Sequence, residues 1–213
     1  MRLLIPPKPL HFHRYQYLQV ESKNLVRSWF HRAWERWERN NDDAFEPFIF
    51  AWFAFNNWAA CVADSDVDAE IIYSLASDKQ INDAFVTLAS EPDSSIAVNA
   101  GDLVRLFPIF DVKTLIKDNL LRLGGGDKRD DLREFYVTNG VTAFEPRCWK
   151  RHVDDGEAVP LDWPHVLKAI YKVRCNLFHG QKSAHSEMDK EIVSAAFLTL
   201  AHFVREARYL DDR

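Results

Sequence analysis

Cysteine is scarce in this chain of 213 residues, and its placement excludes two common ways of stabilising a small protein. Cys61, Cys148 and Cys175 are far apart, odd in number and form no CxxC pair. Such spacing predicts neither a disulfide framework nor a cysteine zinc site. Unpaired thiols are typical of a reducing compartment, so the sequence predicts a cytoplasmic protein.

Long hydrophobic runs are also missing. The most apolar segment, Phe48 to Ala63, contains Asn56 and Asn57 and is shorter than the roughly 20 residues that cross a bilayer. Prolines interrupt the apolar residues near the N-terminus, so no signal peptide is expected there. We therefore expect a soluble protein that does not associate with a membrane.

An excess of positive charge is absent as well. The formal net charge is −5 and the sequence pI is about 5.9. Proteins that coat nucleic acid non-specifically are normally basic, so that function class is disfavoured. A local basic patch remains compatible with this composition.

The chain lacks the short motifs of metal and cofactor chemistry. It contains no HExxH and no GxSxG, and the triple glycine Gly124–Gly126 precedes DKRDD rather than the GK[ST] of a P-loop. The acidic run from Asp64 has DxDxD spacing, but Ala69 and Leu75 stand where a calcium loop needs Gly and Glu. No metal and no cofactor is predicted.

Helical periodicity covers most of the chain. Apolar residues at three- and four-residue spacing predict a helix from about Val20 to Asn40, with Ser22 as its N-cap. The segment Pro47 to Val62 is apolar nearly all round, which is typical of a central helix. Further helices are predicted at 67–76, 79–90, within 96–123 with a bend at Pro108, at 131–136, from Asp162 to about His179, and after Ser186. We find no convincing strand, so the predicted fold class is all-α.

This pattern predicts one helical domain. Residues 1–19 are interpreted as an N-terminal arm, and residues 20–213 as a single domain with an insertion at about 66–160 that becomes irregular after residue 127. Asn56 interrupts the central apolar helix, and a buried amide needs hydrogen-bond partners. At least one of Asn56 and Asn57 is therefore predicted to point at a polar cleft or to cap a neighbouring helix, and Asn56 is an auxiliary site residue.

A basic and aromatic cluster lies within this insertion. Arg147, Lys150 and Arg151 flank Trp149, and stacking combined with phosphate contacts is how single-stranded RNA is held. These three cations are therefore candidate RNA ligands. Short clusters of this kind are also common on loops without any ligand.

The most distinctive stretch is YKVRCNLFHGQK, from Tyr171 to Lys182. It places Arg174, Asn176 and His179 at the end of a predicted helix that stops at Gly180. On a regular helix Arg174 and His179 lie ~140° apart, whereas Asn176 lies ~60° from His179 and is better placed to orient its ring. The stretch therefore predicts a polar site at the edge of the core, with Lys182 as a further contact.

This stretch resembles the signature of HEPN-domain proteins, an Arg followed after four to six residues by a His near the end of the second-last long helix. Here four residues separate Arg174 from His179, a polar Asn176 lies between them, and a long amphipathic helix follows. The apolar run ending at Phe55 and Asn56 is similar to the family's central helix. The resemblance covers roughly residues 20–65 and 160–210 and implies a HEPN-like up-and-down helical bundle.

The resemblance implies a homodimer in which two copies of the motif face each other and cut RNA without a metal, in a toxin or defence role with a possible antitoxin partner. The chemistry is compatible, because attack by the ribose 2′-OH needs a base, an acid and a cation for the developing negative charge. Two copies of His179 could share the proton transfers, and two copies of Arg174 could hold the phosphate. Arg174, Asn176 and His179 are thus the candidate catalytic residues.

The chain departs from the family pattern in two places. Cys175 follows the arginine where many members have Asn, Asp or His, and Gln181 stands where a subset of HEPN toxins carries a modifiable Tyr. Two alternatives therefore stay open. One is a non-catalytic HEPN module that binds RNA, nucleotide or a partner protein. The other is a structural interaction domain in which Arg174 pairs with an acidic residue of a neighbouring helix.

Overall fold

The computed structural model describes residues 7–117, 140, 143–178 and 187–211, and these form ten helices and one two-stranded sheet. The all-α class predicted from the sequence is confirmed. Within the described ranges, no helix combines the length and apolarity needed to cross a bilayer. In chain order the elements are α1 (His13–Gln16), α2 (Val20–Arg39), α3 (Phe45–Ala63), α4 (Asp68–Ser77), α5 (Lys79–Ala89), α6 (Ser95–Arg105), β1 (Ile109–Phe110), α7 (Val112–Lys117), β2 (Phe144–Glu145), α8 (Trp149–Asp155), α9 (Trp163–Phe178) and α10 (Glu187–Glu206).

Helix α3 is the central element, as its apolar sequence predicts. Helix α2 packs along it, and α10 and α4 pack against it as well. The side chains of Trp52, Phe55 and Trp58 are buried, and each large aromatic of this kind removes roughly 150–250 Å² from water. Burial on several sides explains why α3 lacks a polar face.

Helices α4 to α6 add their apolar faces to the same core. Leu75, Ile81, Phe85 and Leu103 are completely buried, and α10 packs against α6 while α9 packs against α4. The helices predicted at 67–76 and 79–90 are confirmed to within one residue at each end. The first half of the predicted insertion therefore lies within the core of the domain.

The small sheet corrects the prediction that the chain has no strand. Strand β1 pairs antiparallel with β2, with Ile109 opposite Glu145 and Phe110 opposite Phe144. Strands of two residues are too short for the apolar alternation that identifies a strand in a sequence. The turn around Pro108 separates α6 from α7, as predicted. Gly124–Gly126 and the helix predicted at 131–136 lie outside the described residues.

Residues 7–19 of the predicted N-terminal arm lie against the end of α3. The backbone N–H of His11 donates to the carbonyl of Val62 at 2.7 Å, and the ring of Tyr15 is buried. Helix α2 begins two residues before the predicted N-cap Ser22, because the extended backbone at Gln19 already ends the preceding turn. The Ser22 prediction is therefore wrong.

Candidate functional site

Helix α9 carries the candidate site, and its start is fixed by the predicted cap. Asp162 Oδ1 accepts from the backbone N–H of His165 at 3.0 Å, which satisfies one of the free donors of the first turn. Val166, Ile170 and Val173 are buried along its inner face. The last described residue of α9 is Phe178, so His179 and Lys182, like the predicted stop at Gly180, lie outside the described residues.

Arg174 lies in a contact between α9, α3 and α4. Its Nη2 is 3.1 Å from Oδ2 of Asp68, the first residue of α4. The guanidinium carbon lies 4.8 Å from the ring centre of Phe178, 5.6 Å from that of Trp52 and 5.9 Å from that of Tyr171. Three rings and one carboxylate therefore restrict the position of a side chain that is still 20% exposed.

One hydrogen-bond donor of the Arg174 guanidinium has no acceptor among the described residues. Its Nε is buried and has no hydrogen-bond partner among the described residues. A buried donor without an acceptor costs about 1–3 kcal/mol, and an anionic oxygen from solvent can approach only the part of the Arg174 side chain that is still exposed. The site is thus suited to an anion with several oxygens, such as a phosphate.

Tyr171 contributes an aromatic ring to this cluster. Burial, together with the nearby Cys175 thiol and the negative charge of Asp68, raises the pKa of Tyr171 to about 12, although Arg174 acts in the opposite direction. The phenol therefore stays neutral across the physiological range. Its role in the site is to stack against the guanidinium of Arg174.

The side chain of Asn176 binds the segment that joins β1 to α7 rather than the surroundings of Arg174. Its side chain is nearly fully buried, its Nδ2 donates to the carbonyl of Phe110 at 2.8 Å, and its Oδ1 accepts from the backbone N–H of Val112 at 3.3 Å. Two residues along a helix correspond to faces about 160° apart. The structure therefore does not bring Asn176 into the cluster around Arg174.

Lys172 strengthens the attachment made by Asn176. Its Nζ lies 2.7 Å from Oδ2 of Asp111, in the turn between β1 and α7. Burial raises the pKa of the Asp111 carboxyl, but the hydrogen bonds from Lys172 and from Thr114 outweigh it, so the net pKa lies below its usual value. This face of α9 thus anchors the segment that includes β1.

Two of the three predicted RNA ligands, Lys150 and Arg151, lie on α8 and form ion pairs at the surface. Lys150 forms an ion pair with Asp154, and Arg151 Nε lies 3.6 Å from Asp155, both across one helical turn, while Arg147 is exposed. Trp149, the aromatic residue of this cluster, is completely buried. The stacking expected from Trp149 is therefore wrong, since helix periodicity turns its ring into the core.

Asn56 lies one turn after Trp52 on α3 and is half-buried. Its side chain forms no hydrogen bond with any described residue, so the polar cleft predicted for it is not seen in that part of the chain. Its auxiliary role stays a prediction.

The sequence did not identify the residues that hold Arg174. Tyr171 and Phe178 precede and follow it by three and four residues, a spacing that places all three on one face of α9. This spacing alone predicts that the two rings lie beside Arg174. The pairing with Asp68 is not predictable in this way, because it depends on how α4 packs against α9.

Comparisons of the chain with family models, with curated proteins and with solved structures found no significant match. The HEPN resemblance therefore stays a prediction.

Proposed function

We propose that the protein is a metal-independent endoribonuclease of the HEPN type that acts through Arg174 and His179. The observation that carries the proposal is the state of Arg174. Its guanidinium is held by three aromatic rings, remains partly exposed, and has a buried Nε without an acceptor among the described residues. Such a group is a preorganised receptor for a phosphate oxygen.

The chemistry divides between the two side chains. A base removes the proton of the ribose 2′-OH, the 2′-oxygen bonds to phosphorus, and the bond to the 5′-oxygen breaks. An acid then protonates the leaving 5′-oxygen, giving a 2′,3′-cyclic phosphate and a 5′-OH. His179 is the proton carrier in this proposal, and Arg174 stabilises the negative charge that develops on the phosphate.

A second copy of the chain completes the proposed site. One imidazole cannot act as base and acid in the same step, whereas two copies of His179 across a dimer axis can share the transfers. Phe178 is 41% exposed directly beside Arg174, and its ring contacts that of Phe53 at 6.0 Å. A homodimer interface next to the site would remove this ring from water.

The remaining predicted residues are assigned to substrate binding. Lys182 follows the motif in sequence, and Arg147, Lys150 and Arg151 could contact phosphates further along the RNA. Because ion pairs at the surface are worth only about 0–1 kcal/mol, Lys150 and Arg151 can exchange their carboxylate partners for phosphates. A toxin or defence role in the cytoplasm, with an antitoxin protein as partner, belongs to the same proposal.

The proposal is tested by its requirement for the ribose 2′-OH and by its independence of metal ions. Purified protein in EDTA is incubated with a single-stranded oligoribonucleotide and with the same sequence carrying 2′-deoxy sugars. We expect cleavage of the RNA only, with 2′,3′-cyclic phosphate ends in the products. Cleavage of the 2′-deoxy strand, or no cleavage of RNA by folded protein, would contradict the proposal.

A non-catalytic HEPN module that binds RNA, nucleotide or a partner protein is the second candidate. Two observations favour it. Both groups of the Asn176 amide are used by the backbone of Phe110 and Val112, and Asp68 already pairs with Arg174. The latter contact is also the pairing expected of a structural interaction domain. Binding of RNA that leaves the strand intact would select the module.

A further inference from the structure

We propose that Asp68 is the positioning residue of Arg174, and that its charge limits how tightly a phosphate binds there. This inference rests on the proposed function, because it concerns the same arginine. Asp68 forms the only ion pair of the Arg174 side chain among the described residues, through a single oxygen and a single nitrogen. It acts on the substrate only through the guanidinium.

The first effect of Asp68 is to hold the guanidinium of Arg174 in one direction. The rings of Trp52, Tyr171 and Phe178 lie around the guanidinium carbon. Cation–π contacts depend little on where the individual nitrogens point, so a polar contact is needed to set that direction. Asp68 supplies that contact at Nη2, and Nε is left without an acceptor among the described residues. The side chain is still 20% exposed, so an anion can approach the guanidinium while Asp68 sets its direction.

The charge of Asp68 works against the substrate. Its side chain is 33% exposed beside the site, so an arriving phosphate meets a carboxylate already paired with the arginine. Repulsion between these like charges weakens binding, since both anions share one cation. Positioning therefore favours the rate of the chemical step, whereas the negative charge opposes affinity.

Two substitutions distinguish these effects. Asp68→Asn keeps the shape and a hydrogen-bond acceptor but removes the charge, so KM should fall by roughly two- to fivefold with kcat nearly unchanged. Asp68→Ala removes the acceptor as well, so KM should again fall while kcat drops about 10- to 100-fold, because the guanidinium is no longer held in place. A residue that only stabilises the fold would not divide its effect in this way.

The experiment measures kcat and KM with single-stranded RNA, and Kd with a fully 2′-O-methylated strand that cannot be cut. Asp66→Asn is the matched control, because Asp66 is an exposed neighbour that forms no ion pair with any described residue. It should change KM and Kd by less than about 1.5-fold. Thermal unfolding of each variant shows whether the fold is intact.

Lower KM and Kd for Asp68→Asn, with a loss of kcat confined to Asp68→Ala, would support the inference. Equal kinetics for Asp68→Asn, Asp68→Ala and wild type would overturn it, while the proposed ribonuclease would stand. If wild type binds RNA but does not cut it, the proposed function fails, and an unchanged Kd of Asp68→Asn would overturn the inference as well. Absence of any RNA binding by wild type would overturn both.

Discussion

Arg174 and Asn176 are two residues apart in the chain but act on opposite faces of α9. Arg174 reaches Asp68 on α4 and the ring of Trp52 on α3, whereas Asn176 binds the backbone of the β1–α7 segment. Both residues belong to the motif predicted from the sequence. Their surroundings imply separable roles, with anion binding assigned to Arg174 and anchoring of the chain to Asn176.

Substitution of Asn176 should reduce stability. Asn176→Ala leaves the carbonyl of Phe110 and the N–H of Val112 without their partners, which should cost about 1–3 kcal/mol in the free energy of unfolding. Urea denaturation measures this cost. Asn57→Ala is the control, because this exposed amide donates to the carbonyl of Phe53 on its own helix and forms no other hydrogen bond with a described side chain. Full stability with lost cleavage in Asn176→Ala would instead indicate a catalytic amide.

Substitution of Arg174 should affect activity far more than stability. Arg174→Lys keeps the charge but loses the planar fork and its stacking on three rings, so single-turnover cleavage should fall about 10²-fold. The free energy of unfolding should fall by only about 1–2 kcal/mol, since the lost contacts are cation–π contacts and one partly exposed ion pair. A wild-type rate in Arg174→Lys would show that the fork is not used.

The contact between Lys172 and Asp111 predicts a pH-dependent term in stability. The pKa of Asp111 is lowered in the folded protein, so its contribution is present above the unfolded value of about 3.9 and is lost as the pH falls through the folded pKa. The difference in unfolding free energy between wild type and Lys172→Met should thus be largest near neutral pH and shrink below about pH 4. Urea denaturation over this range checks it, and a difference independent of pH would contradict it.

If Lys150 and Arg151 contact RNA phosphates, they should contribute to the salt dependence of binding. Each single substitution by Ala should reduce the slope of log K against log salt by about 0.7, the value for one contact with a single strand. Lys79→Ala is the matched control, because Lys79 pairs with Asp83 across one turn of α5 in the same way. Equal slopes for all of these proteins would leave Lys150 and Arg151 as ordinary surface charges.

Local signals in the sequence were sufficient to predict most helices. Asp162 marks the start of α9 because the cap uses only neighbouring residues, and the nearly unbroken apolar sequence of α3 reflects burial on several sides. The prediction that Trp149 stacks on RNA was wrong because its local sequence does not reveal that it is buried. Its basic neighbours indicated a surface loop, but a short helix turns this ring inwards while Lys150 and Arg151 face water.

The candidate site was only partly predictable. Arg174 stood out because it lies with Asn176 and His179 in a polar stretch that resembles the HEPN signature. Its partner Asp68 belongs to the acidic run that begins at Asp64, and nothing in the local sequence connects it with Arg174. Asn176 was expected to orient His179, but its amide groups are directed to Phe110 and Val112 by a packing contact that no spacing rule contains.

The most direct test of the account is RNA cleavage in EDTA by wild type, His179→Ala and His31→Ala. His31 lies on α2 with a side chain that is 76% exposed, so its substitution controls for the loss of an imidazole. The account predicts cleavage by wild type and His31→Ala, and a rate at least about 10²-fold lower for folded His179→Ala. Cleavage by His179→Ala at the wild-type rate would contradict it.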